Sequence, residues 1–205
     1  MTTVGYVRMQ YCKRSVEQVF DDVTVYGGWS KDHETTGNGI YVEGIFLDEA
    51  PNEYSHDVGK YLNLVSEKIK NTSGILGEKL VSLLTIMNPS KPQTIHSQSQ
   101  LTQIIHNPGT VPDKELTQTR PEVTAVFEES YSRYRSCGQS EQRALDAYDR
   151  KGSSYILHSV PRKQVIPLVR ELRPRAEYIF VTDRETKFYE GFGESWNDFI
   201  RTMVE

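Results

Sequence analysis

Two pairs of carboxylates stand at the ends of apolar runs. Asp48 and Glu49 close the stretch Val42-Glu-Gly-Ile-Phe-Leu-Asp-Glu49, and Glu128 and Glu129 close Glu122-Val-Thr-Ala-Val-Phe-Glu-Glu129. A carboxyl group in such a place can give or take a proton, or attack an electrophilic carbon. Acids are also ordinary strand-ending and turn residues, because they bond their own backbone locally. One such terminus therefore means little. Here the pattern recurs: Asn107 ends Gln103-Ile-Ile-His-Asn107, His158 and Ser159 end a run from 154, and Thr182 and Asp183 end a run from 177.

The elements that must position these groups follow from periodicity. Short β-rich runs at Gly5–Val7, 43–47, 103–106, 122–127, 154–158 and 177–182 read as strands. Between them, helical spacing predicts helices over 14–26 (Val16, Val19, Phe20, Val23), 53–70 (Tyr61, Leu62, Val65, Ile69), 139–150, 162–172 and 194–203. Gly27-Gly28 is expected to stop the first helix. Strands alternating with helices predict an α/β fold with a parallel sheet, whose chemistry collects at the strands' carboxyl ends.

Composition sets outer bounds. With 205 residues, 37% apolar, 25% charged and a net charge of −4, the chain has enough material for one domain, and a second could only be small. Its dispersed Lys and Arg give no basic patch, so nucleic acid is not expected as a partner. Cys12 and Cys137 fit no metal-binding spacing and read as reduced thiols. No stretch approaches the roughly 20 apolar residues of a membrane span. The amino terminus lacks the order of a signal peptide, and the sequence leaves localisation open.

More specific are Ile105-His-Asn-Pro-Gly-Thr-Val-Pro-Asp113 and Val126-Phe-Glu-Glu-Ser-Tyr131. They occur in one order with GYV at 5–7, YGGW at 26–29, GIFLDE at 44–49, YILHSVP at 155–161 and YIFVTD at 178–183. In these motifs and their order the chain resembles the spherulation-specific family 4 (spherulin 4-like) proteins, from residue 4 to about 200 apart from 71–103. The resemblance implies a (β/α)8 barrel related to the glycoside hydrolase family 135 endo-α-1,4-N-acetylgalactosaminidases. It also implies a partner polysaccharide containing N-acetylgalactosamine or galactosamine, with no cofactor and no metal. Carried over by motif, Asp48 and Glu128 are the expected catalytic carboxylates, one on each side of the scissile bond. Asn107 is expected to position the sugar, with Glu49 beside Asp48. Tyr6, Tyr131, His158 and Asp183 complete the expected substrate-binding set. Tyr11 and Trp29 are further aromatic faces that could serve sugar rings or the core. His158 reads equally as a core histidine, and Asp183 as a helix cap.

Two departures from the family pattern stand out. The GYV strand begins at residue 5, so the chain is expected to supply about six of the eight βα units of a closed barrel. Residues 71–103 form an irregular insertion within what is expected to be a single domain. The part from about Val81 to Gln103 reads as retained non-coding sequence, or as a replacement strand at Leu80–Ile86. These departures keep a second reading in play: a non-catalytic cell-surface or carbohydrate-binding protein, or an inactive truncated relative.

Overall fold

A computed structural model of the chain describes residues 2–36, 40–75, 102–119 and 121–205. Six strands form one sheet in simple sequence order: β1 (Val4–Arg8), β2 (Gly44–Asp48), β3 (Gln103–Asn107), β4 (Val123–Ser130), β5 (Ser153–His158) and β6 (Tyr178–Val181). The pairs β1–β2, β4–β5 and β5–β6 run parallel. The α/β class and the parallel sheet expected from the alternation are therefore present. The sheet is not closed among the described residues, with β1 and β6 at its two ends.

The helices are α1 (Val16–Thr36), α2 (His56–Asn71), α3 (Tyr131–Arg135), α4 (Gln139–Asp146), α5 (Arg162–Leu172) and α6 (Trp196–Val204). β3 leads into a short 3-10 segment, Lys114–Thr119, where the other crossovers carry α-helix. The chain forms two compact units. One comprises Met1–His106 with Lys114–Glu122, the other Asn107–Asp113 with Val123–Glu205.

In the first unit, α2 shows how sequence makes structure. Ser55 caps its amino end by accepting from the Val58 amide at 3.2 Å, and Asp57 sits in the first turn while Lys68 and Lys70 sit in the last. These placements complement the helix dipole. Leu62, Val65 and Ile69 recur at helical spacing and are buried against Val7, Ile45 and Leu47 of the strands. Each such side chain, once buried, stabilises the fold by roughly 1.5–3 kcal/mol.

The expected stop at Gly27-Gly28 does not occur, since α1 runs through both glycines to Thr36. Gly27 is there for close approach. A methyl group at its Cα would lie 2.7 Å from Thr72 Cγ2 and 2.9 Å from the Ser73 carbonyl oxygen. Opposite it, Gly74 adopts a φ of +102°, and a Cβ there would meet the Gly27 carbonyl oxygen at 2.2 Å. Two missing side chains let the chain after α2 lie directly on α1. Tertiary contact overrides the helix-breaking tendency of the pair.

The second unit is built on β4, whose burial runs unbroken from Val123 to Phe127 and then opens at Glu128. A strand covered on both sides needs a near-continuous apolar run, and Val123-Thr-Ala-Val-Phe127 supplies one interrupted only by Thr124. Its register against β5 shifts between Ala125 and Phe127, leaving Val126 as an extra residue. Such bulges re-aim the residues that follow them. Val165, Leu168, Val169 and Leu172 of α5 complete this core, with Phe127, Tyr155 and Leu157 on the strands.

Of the expected insertion at 71–103, residues 76–101 lie outside the described residues, including the proposed replacement strand at Leu80–Ile86. On its near side Ile75 forms a parallel bridge with Val42, and on its far side Gln103 opens β3.

Candidate active site

Of the two predicted carboxylates, Asp48 ends its strand, whereas Glu128 lies within β4, which runs two residues further to Ser130. Asp48 is the last residue of β2 and pairs in register with Arg8 of β1. Tyr6, two residues before Arg8, sends its hydroxyl to Asp48 Oδ2 at 2.6 Å. Period-two geometry explains the meeting: Tyr6, Phe46 and Asp48 project from the same side of the ladder, and the rings of Tyr6 and Phe46 stack at 6.3 Å. Burial, followed by the hydrogen bond to Asp48 and the charge of Asp48 and Glu49, pushes the Tyr6 phenol up to about 12. Tyr6 is therefore a donor to Asp48 throughout the physiological range.

Glu49 is tied differently. Arg8 Nη2 donates to its Oε1 at 2.7 Å. Its backbone lies in the left-handed region at φ 51°. The loop after β1 is strained as well: Gln10, Tyr11 and Cys12 have φ of 52°, 53° and 62° in succession. The loop is pinned to the end of β2 by Met9 N–H to the Asp48 carbonyl (2.9 Å) and Tyr11 N–H to the Glu49 carbonyl (2.7 Å). Strain of about 1–3 kcal/mol per residue persists only where surrounding contacts impose it, and it concentrates at functional sites.

Around Glu128 the second unit assembles a tighter arrangement. Asn107, the last residue of β3, donates its amide N–H to Glu128 Oε2, and the Tyr189 hydroxyl donates to Glu128 Oε1. Both carboxylate oxygens are thus bound by neutral donors. Asn107 is itself oriented, since its Oδ1 accepts from Gly109 N–H at 3.1 Å. The backbone N–H of Glu128 in turn donates to the Gly109 carbonyl at 2.9 Å. Gly109 has room for a methyl group, with its nearest atoms at 3.8 and 3.9 Å, but its φ of +69° favours glycine. The Asn-Pro-Gly sequence is a turn that locks an amide onto a carboxylate.

Further along this unit, His158 stacks on Phe188 with ring centroids 4.4 Å apart and 7° between planes, and its Nδ1 meets Ser159 Oγ at 2.9 Å. Ser159 has a φ of 55° and donates its N–H to the Arg184 carbonyl at 2.9 Å. Asp183 Oδ1 is buried without a hydrogen-bond partner among the described residues. Gly193 leaves the space that Asp183 occupies, because a Cβ there would fall 1.8 Å from Asp183 Oδ1. Among the described residues, no cluster of three His, Cys, Asp or Glu side chains is arranged to hold a metal. No helix among them is long and apolar enough to cross a membrane.

The chain matches spherulation-specific family 4 over residues 1–203. It belongs to that family. Its fold is also similar to the crystal structure of Aspergillus clavatus Sph3 in complex with GalNAc, with a TM-score of 0.79 and 28% identity. That likeness covers 100% of this chain and 72% of the Sph3 chain. No match was found among curated proteins.

Within this family 4 chain, the structure brings Asn107 onto Glu128 and Tyr6 onto Asp48. The other expected residues are more dispersed. Tyr131 opens α3, packs partly buried against the second unit's core, and lies under Arg135 at 5.1 Å. Trp29 sits in α1, edge-on to Tyr26 at 4.9 Å, and not at a strand end. Tyr11 is exposed on the loop after β1.

Sequence reasoning missed Tyr189. It lies in the connection between β6 and α6, where Lys187-Phe-Tyr-Glu-Gly-Phe192 carries a signal. This is a long loop at the carboxyl end of a strand, dense in aromatics, in the position where such folds carry function.

Proposed function

We propose that this protein is an endo-acting glycoside hydrolase of the family 135 type, cleaving a polysaccharide that contains N-acetylgalactosamine or galactosamine. The observation that carries the reading is the Glu128 carboxylate, bound on one oxygen by Asn107 and on the other by Tyr189 at the open end of a buried strand. GalNAc bound in the related Sph3 crystal supports the substrate class. Glycosidases of this kind use two carboxyl groups. In this reading Glu128 is one and Asp48, held by Tyr6, is the other. Asn107 orients Glu128 and meets the substrate's hydroxyl or N-acetyl group. Glu49, fixed by Arg8, supports Asp48, while Tyr6, Tyr131, His158 and Asp183 contribute to sugar binding. The six parallel strands are, in the same reading, part of a (β/α)8-type barrel, consistent with their sequence order.

Incubating the purified protein with a partially N-acetylated α-1,4-linked galactosamine polymer tests this. New reducing ends should appear together with internal oligosaccharide products. Binding without any cleavage would move the protein to the non-catalytic, carbohydrate-binding reading.

A further inference from the structure

The connection between β6 and α6 exposes more aromatic surface than the Glu128 arrangement uses. Tyr189 is 60% exposed and Phe192 is 70% exposed. Both rings are nevertheless held in place. Tyr189 lies against Phe188 at 4.5 Å and Phe180 at 6.0 Å, and Phe192 stacks on Trp196 at 4.2 Å with 27° between planes. Trp196 is in turn packed against Phe199 at 5.4 Å, and Phe199 belongs to the buried core.

The backbone is tied by turns on either side of Phe192. Glu190 N–H donates to the Lys187 carbonyl at 2.9 Å, Lys187 Nζ pairs with Glu190 Oε2 at 3.0 Å, and Trp196 N–H donates to the Gly193 carbonyl at 3.2 Å. A rigid aromatic face left in water is costly to expose and loses little entropy on binding, which is the signature of a contact surface.

We propose that Phe192, supported by Trp196, is a separate sugar-stacking subsite that receives a ring of the polysaccharide further along the chain than the ring at Glu128. This rests on the glycoside hydrolase reading above. Three features select a saccharide as occupant. First, Phe192 follows Tyr189 by only three residues, a reach of at most about 11 Å, which is a distance of one or two sugar rings. Second, Tyr189 touches the Glu128 carboxylate through its hydroxyl, and a chain of packed rings, Phe180, Phe199 and Trp196, leads from Tyr189 to Phe192. Third, a flat, unsubstituted ring matches the apolar C–H face of a pyranose, whose hydroxyls remain in water at the rim. Endo-acting cleavage requires such contacts away from the scissile bond, because binding energy from remote rings positions the reacting one.

The test combines affinity electrophoresis in gels containing the galactosamine polymer with hydrolysis of that polymer and of an oligosaccharide too short to reach Phe192. Phe192→Ala is expected to weaken polymer retention and to lower the polymer-to-oligosaccharide ratio of kcat/KM roughly tenfold, the loss of a stacked apolar face. Phe192→Trp should restore both, and an unchanged melting temperature for Phe192→Ala should show that the fold is intact. Equal losses on both substrates, or retention equal to wild type, would overturn the subsite. Failure of the wild-type protein to cleave either substrate would instead count against the hydrolase reading, and gel retention would still decide the subsite.

Discussion

Asn107 hands one amide hydrogen to Glu128 and takes one from Gly109 on its own turn. The amide is thereby oriented before any substrate arrives, and its orientation fixes that of the carboxylate. Preorganisation of this kind is what the catalytic role proposed for Glu128 requires.

Replacing Asn107 tests that dependence. Asn107 is only 4% exposed, so Asn107→Ala should cost about 1–3 kcal/mol of stability by removing a buried hydrogen-bonding group. Asn107→Asp should be more harmful to polymer cleavage than Asn107→Ala, because it sets a second negative charge against Glu128. Chemical denaturation and initial rates of polymer cleavage, measured on both variants, read the two effects separately.

Tyr189 acts on the other oxygen of Glu128 from an exposed position. Tyr189→Phe keeps the ring and its stacking but deletes the donor. The expected result is a fall in kcat of about tenfold with little change in KM, and an unaltered melting temperature. A rise in KM alone would show that Tyr189 only binds sugar.

The two adjacent glycines of α1 should respond with opposite signs. At Gly28 a Cβ would meet no atom within 4 Å, so Gly28→Ala should stabilise by about 0.5–1 kcal/mol through helix propensity. Gly27→Ala gains the same propensity but drives a methyl group into Thr72 and the Ser73 carbonyl, and should destabilise by about 1–3 kcal/mol. Urea denaturation of the two variants side by side is sufficient.

His106 makes folding sensitive to acid. Burial lowers its pKa from 6.5 to about 4, and its Nε2 has no hydrogen-bond partner among the described residues. Above pH 6.5 the ring is neutral in both folded and unfolded chains. As pH falls through 6.5, the unfolded chain takes up a proton that the folded chain refuses until about pH 4. This group's contribution to stability is therefore present at neutral pH and is lost over that window, by up to about 3 kcal/mol. His106→Leu should flatten the dependence of unfolding free energy on pH between 4 and 6.5. Identical slopes in variant and wild type would show that other groups cause it.

Much of this could be read from residues alone, for identifiable reasons. Acids follow buried runs because a sheet's interior must be apolar and its ends need not be, so the positions of Asp48 and Glu128 after buried runs could be read from the sequence. Asn107 was legible as a site residue through its motif, and the Asn-Pro-Gly turn supplies the geometry that ties it to Glu128. What could not be read were relationships between distant segments. Gly27 looks like a helix stop until Gly74 is placed against it, and Tyr189 looks like a loop aromatic until it reaches back to a carboxylate on β4. The family resemblance carried the motifs that local periodicity would have left as ordinary strand ends.

The most direct test of the proposed chemistry is Glu128→Gln, with Asp48→Asn beside it, assayed for cleavage of the galactosamine polymer and for retention in polymer-containing gels. The substitutions preserve shape while removing the charge and proton that the chemistry needs. The predicted result is a loss of turnover of about a thousandfold in each, with polymer retention kept. Turnover equal to wild type in both variants would contradict the assignment of Asp48 and Glu128 as the reacting carboxylates.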